Sequence, residues 1–151
     1  NIRELLVKNK QQYLDRLDRM SKHANILKLS DEDLNYMSPE ASLGDAFNEI
    51  CSTTEAQIIV LTMGAKGARV KAGEISFEVS AAVCNPLVDT VGAGDTFMGT
   101  ILAEINEKKV SAATLSNISE DELTNIIERA SKAAALNCEN AGCNPPYKHD
   151  F

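Results

Sequence analysis

The chain has no apolar run approaching the ~20 residues that a membrane span needs, so neither a transmembrane helix nor a membrane partner is expected. It also lacks an excess of positive charge: 15 Lys and Arg stand against 22 Asp and Glu, for a net charge of -7. A nucleic-acid surface needs clustered cations to neutralise phosphates, and none is expected here. Arg16, Arg19 and Lys22 form a short basic stripe, but Asp15 and Asp18 interrupt it, so it reads as a solvated helix face. Cys51, Cys84, Cys138 and Cys143 include no C-x-x-C pair, and His23 and His149 add no ligand pair at usual spacing. No zinc site of ordinary spacing can be written. The cysteines are expected to be reduced and mostly buried, as in a cytoplasmic protein. The phosphate-binding motif G-x-x-x-x-G-K-[ST] is missing, and Gly92-Ala93-Gly94-Asp95-Thr96-Phe97 fails G-x-G-x-x-G at its last position. Internal repeats and low-complexity linkers are absent too.

At 151 residues, with 44% hydrophobic residues and a mean hydropathy of -0.18, the chain fits one globular domain. Its apolar patterning alternates between helix and strand. Tyr13, Leu14, Leu17 and Met20 form a helical stripe, and Asn25 to Leu29 is a short, mainly apolar strand. Ser30 then caps a helix, with Asp33 where a capping box carries Glu. Pro39 is read as the first-turn residue of another helix, running to about Ile50 or Cys51. Gln57 to Thr62 has the continuous apolar centre of a strand buried on both faces. Two shorter strands flank Gly73, an apolar helix follows Gly94, and Ser119 opens an amphipathic helix from about Glu120 to Cys138. Residues 107–117 and the tail from Asn144 read as loose. The pattern predicts an α/β fold with a mostly parallel central sheet flanked by helices.

The run Asp89-Thr90-Val91-Gly92-Ala93-Gly94-Asp95 at the mouth of the apolar helix is the most informative stretch. Small residues at 92 to 94 permit a tight turn whose N–H groups point at an anion, and the helix adds the positive end of its dipole. A carboxylate at Asp95, inside that electropositive spot, makes sense if a proton must be removed beside a phosphoryl group. The chemistry this suggests is phosphoryl transfer to a hydroxyl, with Asp95 as general base and the N–H groups of Gly92, Ala93 and Gly94 as an anion hole. The same residues also read as an ordinary strand-to-helix connection with an acidic first turn.

DTVGAGDTF resembles the C-terminal signature of the ribokinase-like sugar kinases, the family that includes fructokinases and B-type phosphofructokinases. LKLSDEDL (27–34) is similar to the family's Asn-x-x-Glu segment, and IIVLTMGAKGARV (58–70) to its Thr-x-Gly-x-x-Gly strand and turn. Asn1-Ile2-Arg3 resembles the end of an Asp-x-Asn-x-Arg stretch in fructokinase-type members. The helix from Ser131 to Cys138 and Asn140-Ala141-Gly142-Cys143 resemble the closing nucleotide-pocket segment. The resemblance covers the whole of 1–151 and matches the C-terminal, ATP-binding half of such a kinase. The family's N-terminal half, with its Gly-Gly motif, most sugar contacts and a β-sheet lid through which family dimers often pair, has no counterpart.

The resemblance implies an ATP-dependent sugar kinase, most like a fructokinase. Ribokinase or 2-keto-3-deoxygluconate kinase activity is the alternative, as is a non-catalytic nucleotide-binding fragment. It implies that Thr62, Gly64 and Gly67 lie along the phosphates, although T-x-G-x-x-G alone is only a tight turn. Ala134, Asn137 and Cys138, with Gly142, would wall the adenine slot, and Lys28 would face a phosphate or simply solvent. Ser30 and Asp33 occupy the Asn-x-x-Glu positions, which in the family help position Mg²⁺; both depart from the motif and equally read as a helix cap. Asp89 matches a position that holds K⁺ in several members, and equally reads as a turn stabiliser.

Overall fold

A computed structural model describes residues 2–151; Asn1, the first residue of the Asn-Ile-Arg stretch, lies outside the described residues. The elements run α1 (Lys10–Ser21), β1 (Ile26–Ser30), α2 (Asp31–Met37), α3 (Leu43–Thr53), β2 (Ile58–Thr62), β3 (Ala68–Ala72), β4 (Ile75–Val79), α4 (Ala93–Glu107) and α5 (Glu120–Cys138). The strands form one sheet in the order β1-β2-β3-β4.

The α/β class holds, but the sheet is mixed. β1 and β2 are parallel, whereas β2 with β3 and β3 with β4 are antiparallel. Connection length explains this. The two-helix crossover α2–α3 gives the chain room to return parallel, while β3 and β4 are joined by only Gly73 and Glu74. A tight link of that length permits an antiparallel hairpin alone.

Alternation along β2 builds a core on each face of the sheet. Ile58 and Val60 meet Phe97, Ile101 and Ile105 of α4 and Ile126, Ile127 and Ala130 of α5. Ile59 and Leu61 meet Leu34 of α2 and Phe47 of α3 on the opposite side. This period-2 division is why β2 reads as a continuous apolar run.

Helix starts follow capping chemistry. Ser119 accepts from the N–H of Glu122 and opens α5 where expected. The helix expected from Pro39 begins later, at Leu43, because Ser42 accepts from the N–H of Asp45 and takes the N-cap. α1 forms as expected, yet buries none of its residues, and Met20 of the apolar stripe is 62% exposed. Leu115, within the stretch expected to be loose, is buried against the core through a single 3-10 turn. Among the described residues no helix is long and apolar enough to cross a membrane.

Candidate functional site

The start of α4 is set by Gly92. Its φ of 82° lies in the left-handed region, and a β-carbon there would meet the Cys143 Sγ at 2.4 Å. Only glycine meets both demands. The first α-helical bond runs from the Thr96 N–H to the Gly92 carbonyl at 2.8 Å. The expected three-donor anion hole is reduced, because the Ala93 N–H donates back to the Thr90 carbonyl at 3.2 Å and closes the turn. The Gly94 N–H belongs to the first helical turn, where no carbonyl of the helix can receive it.

Gly94 and Asp95 face different recesses, since successive helical residues point about 100° apart. Ala93 and Gly94 line a cavity of about 560 Å³, together with Thr62, Gly64, Gly67, Ala134 and Cys138. Seven residues expected at a nucleotide and phosphate site, drawn from three separate stretches of chain, therefore share one cavity. Asp95 is exposed and lines a neighbouring groove of about 340 Å³ with Thr96, Thr100 and Cys143. The buried Thr96 hydroxyl in this groove has no hydrogen-bond partner among the described residues.

The cavity walls are positioned by local packing. Thr62 Oγ1 donates to the Leu29 carbonyl at 3.2 Å, locking the ends of β1 and β2 together. Gly67, at φ 95°, passes so close to β4 that a β-carbon would sit 2.0 Å from the Val79 carbonyl oxygen. Asn137, expected on the wall, is instead fully buried behind it. Its Nδ2 donates to the Val91 carbonyl at 2.8 Å, and its Oδ1 accepts from the Asn144 N–H at 2.9 Å. Gly142 also stands outside the cavity lining; its N–H donates to Asp89 Oδ2 at 2.8 Å.

No sequence motif marks residues 81–87 for a site, yet Ala82, Val83, Cys84 and Leu87 complete the cavity. This loop is pinned by Ala82 N–H to Ser131 Oγ (2.9 Å), Asn85 N–H to Glu139 (3.0 Å) and Val88 N–H to the Cys138 carbonyl (2.8 Å). Its signal was apolar residues without a regular element: Val83 and Leu87 are 88% and 65% exposed.

Ser30 and Asp33 form a reciprocal capping box. Asp33 N–H donates to Ser30 Oγ at 3.1 Å, and Ser30 N–H to Asp33 Oδ2 at 2.9 Å. The other carboxylate oxygen accepts from the Ile2 N–H at 2.7 Å, which joins the opening stretch to α2. Burial would raise the Asp33 carboxyl, but the N–H bonds from Ile2 and Ser30 outweigh it and hold the group below its ordinary value. Lys28 alternates onto the α4 side of β1. Burial lowers its ammonium from the usual lysine value, against the opposing charges of Asp33, Asp95 and Asp31.

Asp89 has both oxygens engaged, Oδ1 with the Val91 N–H at 3.0 Å and Oδ2 with that of Gly142. The bonds from Val91 and Gly142 keep its carboxyl below the ordinary value. It thus fastens the loop before α4 to the segment after α5. Among the described residues no group of three His, Cys, Asp or Glu is placed to hold a metal ion. All four cysteines are free, and the expectation that most are buried does not hold: Cys138 is buried, Cys51 and Cys84 are half-buried, and Cys143 is exposed. Their positions at element ends and loops, rather than in β2 or the centre of α5, explain the exposure.

Residues 3–150 match the family model described as pfkB family carbohydrate kinase. The chain is 32% identical over 126 residues to a fructokinase of Rhizobium leguminosarum bv. trifolii, covering 83% of this chain and 38% of that protein. Among solved structures it is similar to the Vibrio cholerae O395 fructokinase in a fructose-, ADP- and calcium-bound form, with TM-score 0.78, 25% identity and coverage of 94% of this chain and 44% of that one. A double mutant of that fructokinase, with fructose, ADP and potassium bound, matches with TM-score 0.77 and 25% identity over 94% of this chain and 43% of its own. The Salmonella enterica aminoimidazole riboside kinase, solved with its riboside and an ATP analog, gives TM-score 0.78 and 25% identity over 95% of this chain and 45% of its own. The chain therefore spans less than half the length of each of these proteins.

Proposed function

The chain belongs to the pfkB family of carbohydrate kinases, and from that premise we propose that it is the nucleotide-binding and catalytic part of an ATP-dependent sugar kinase, with fructose as the acceptor. The observation that carries this reading is the shared cavity, in which the β2–β3 turn, the first turn of α4 and the Ala134–Cys138 wall of α5 converge.

In this account the adenine enters the apolar part of the cavity between Ala134, Cys138, Val83 and Leu87, where few polar contacts are needed. The phosphates run past Thr62, Gly64 and Gly67 to the start of α4, where the Gly94 N–H and the helix dipole meet the transferring group. Asp95, one residue on, takes the proton of the attacking hydroxyl in the adjoining groove. Lys28 supplies positive charge between Asp95 and the phosphates.

The residues present fit a Mg²⁺ carried on the nucleotide's phosphates, which neutralises charge there. Both Asp33 oxygens already serve N–H groups, so a direct protein cage is not what this donor set offers, and Ser30 and Asp33 act at most through water. K⁺ beside Asp89 rests on the potassium form of the similar fructokinase, and the two N–H bonds to Asp89 leave its remaining lone pairs for such an ion.

The test is ADP release from Mg²⁺-ATP with fructose, ribose, 2-keto-3-deoxygluconate and aminoimidazole riboside, with Asp95→Asn alongside. Turnover on one acceptor that falls about 10²–10⁴-fold in the variant is expected. Undiminished turnover in a folded Asp95→Asn protein overturns the role of the base.

A further inference from the structure

The sheet carries a second recess, on the face opposite α4 and α5. There α2 and α3 cover β1 and β2, but β3 and β4 extend past them. On this face β3 presents Arg69 and Lys71, with Ser76 of β4 directly opposite Lys71 and Glu78 opposite Arg69. Cross-strand partners share a face of the sheet. Between these strands and Phe47, Asn48 and Cys51 of α3 lies a recess of about 350 Å³.

Its two cations are unusual in their surroundings. The Arg69 guanidinium lies 5.1 Å from the centroid of the Phe47 ring, whose own exposure is 1%. That cation–π contact takes up none of the guanidinium's five N–H donors in a hydrogen bond. Among the described residues neither the Arg69 nor the Lys71 side chain forms a hydrogen bond or an ion pair, although acidic groups outnumber basic ones in the chain. Both positive charges act on the half-buried Cys51 thiol: burial raises it, and Lys71 and Arg69 oppose the rise. The two cations therefore converge on one spot beside α3.

We propose that this recess binds a small phosphomonoester, with Arg69 and Lys71 holding the phosphate and Asn48 and Ser76 meeting the hydroxyls of its organic part. A dianion gains from both cations at once, where a carboxylate offers a single charge. At about 350 Å³ the recess is roomier than inorganic phosphate requires, and Asn48, Ser52 and Ser76 add polar groups to its lining. Arg69 is suited to the task, because its planar fork matches two phosphate oxygens. The site lies across the sheet from the nucleotide cavity and does not depend on the kinase reading.

The experiment is a heteronuclear NMR titration of the full chain with glucose 6-phosphate at low salt, with glucose and inorganic phosphate as comparison probes. Saturable shifts at Cys51, Arg69, Lys71 and Ser76 are expected, weaker binding of inorganic phosphate, and none of glucose. Arg69→Gln and Lys71→Gln, each checked for an unchanged fold by circular dichroism, should weaken binding at least tenfold. Glu78→Gln should tighten it several-fold by removing the nearby opposing charge. Shifts confined to residues 92–94, or unchanged affinity in both cation variants, overturn the proposal.

Discussion

A β-carbon on Gly92 would stand 2.4 Å from the Sγ and 2.8 Å from the Cβ of Cys143, so the loop after α5 seats directly against the residue that opens α4. The opening of α4 and the closing segment of the chain are in this way a single construction. Gly92→Ala must both strain φ and displace Cys143. It is expected to cost about 1–3 kcal/mol of stability and to weaken ADP binding at least tenfold. Cys143→Gly should restore only part of the loss, since the left-handed backbone remains. Thermal melts and ADP titration of the three proteins check this, and wild-type affinity in Gly92→Ala would contradict it.

Asn137 bridges the same two segments from behind, joining the Val91 carbonyl to the Asn144 N–H. Asn137→Leu keeps bulk but leaves these groups without their partner, at about 1–3 kcal/mol for each one that water cannot reach. Urea denaturation should show a loss of about 2 kcal/mol with an unchanged slope. A loss under about 0.5 kcal/mol would mean that the bridge holds nothing in place.

Asp33 has its carboxyl held below the ordinary value, so its contribution is present above the unfolded-state value and is lost as pH falls through the folded one. Asp33→Asn should therefore cost about 1 kcal/mol at neutral pH, the usual weight of a helix cap. As pH falls below the ordinary carboxylate value of about 3.9 the gap should shrink, and it should close once pH has passed the lower folded-state value. A gap that is constant from pH 7 down to pH 3 would contradict the ionised cap.

Lys28 is half-buried, and its ammonium is disfavoured by that burial while three carboxylates act on it. Lys28→Met should leave the melting temperature unchanged or raise it, because replacing a desolvated charge by an apolar group is often neutral or stabilising. Turnover should fall by about 10²-fold if the charge serves the phosphates. Lost stability with intact turnover would assign Lys28 a structural role.

The elements were legible wherever local chemistry decided them. The Ser119 and Ser30 caps, the β2 apolar run and the α4 and α5 helices all stand where periodicity and capping place them. What escaped was set by geometry between elements. Sheet direction depends on connection length, and Pro39 lost the helix start to Ser42 three residues later. That the glycine turns, Ala134 and Cys138 line one cavity follows the order of the motifs that carry them. Asn137 was misplaced because one residue of helix, about 100°, separates a cavity wall from a buried bridge. The 81–87 loop has no periodicity at all, and only its bonds to Ser131, Glu139 and Cys138 bring it to the cavity.

The most direct measurement is a heteronuclear NMR titration of the chain with Mg²⁺-ADP. The account predicts saturable shifts at Gly64, Gly67, Gly94, Ala134 and Cys138, spreading to Val83 and Leu87 and leaving Arg69 and Lys71 in place. Absence of saturable binding, or shifts that bypass this cavity, would contradict the assignment of the β2–β3 turn, the start of α4 and the end of α5 as the nucleotide site.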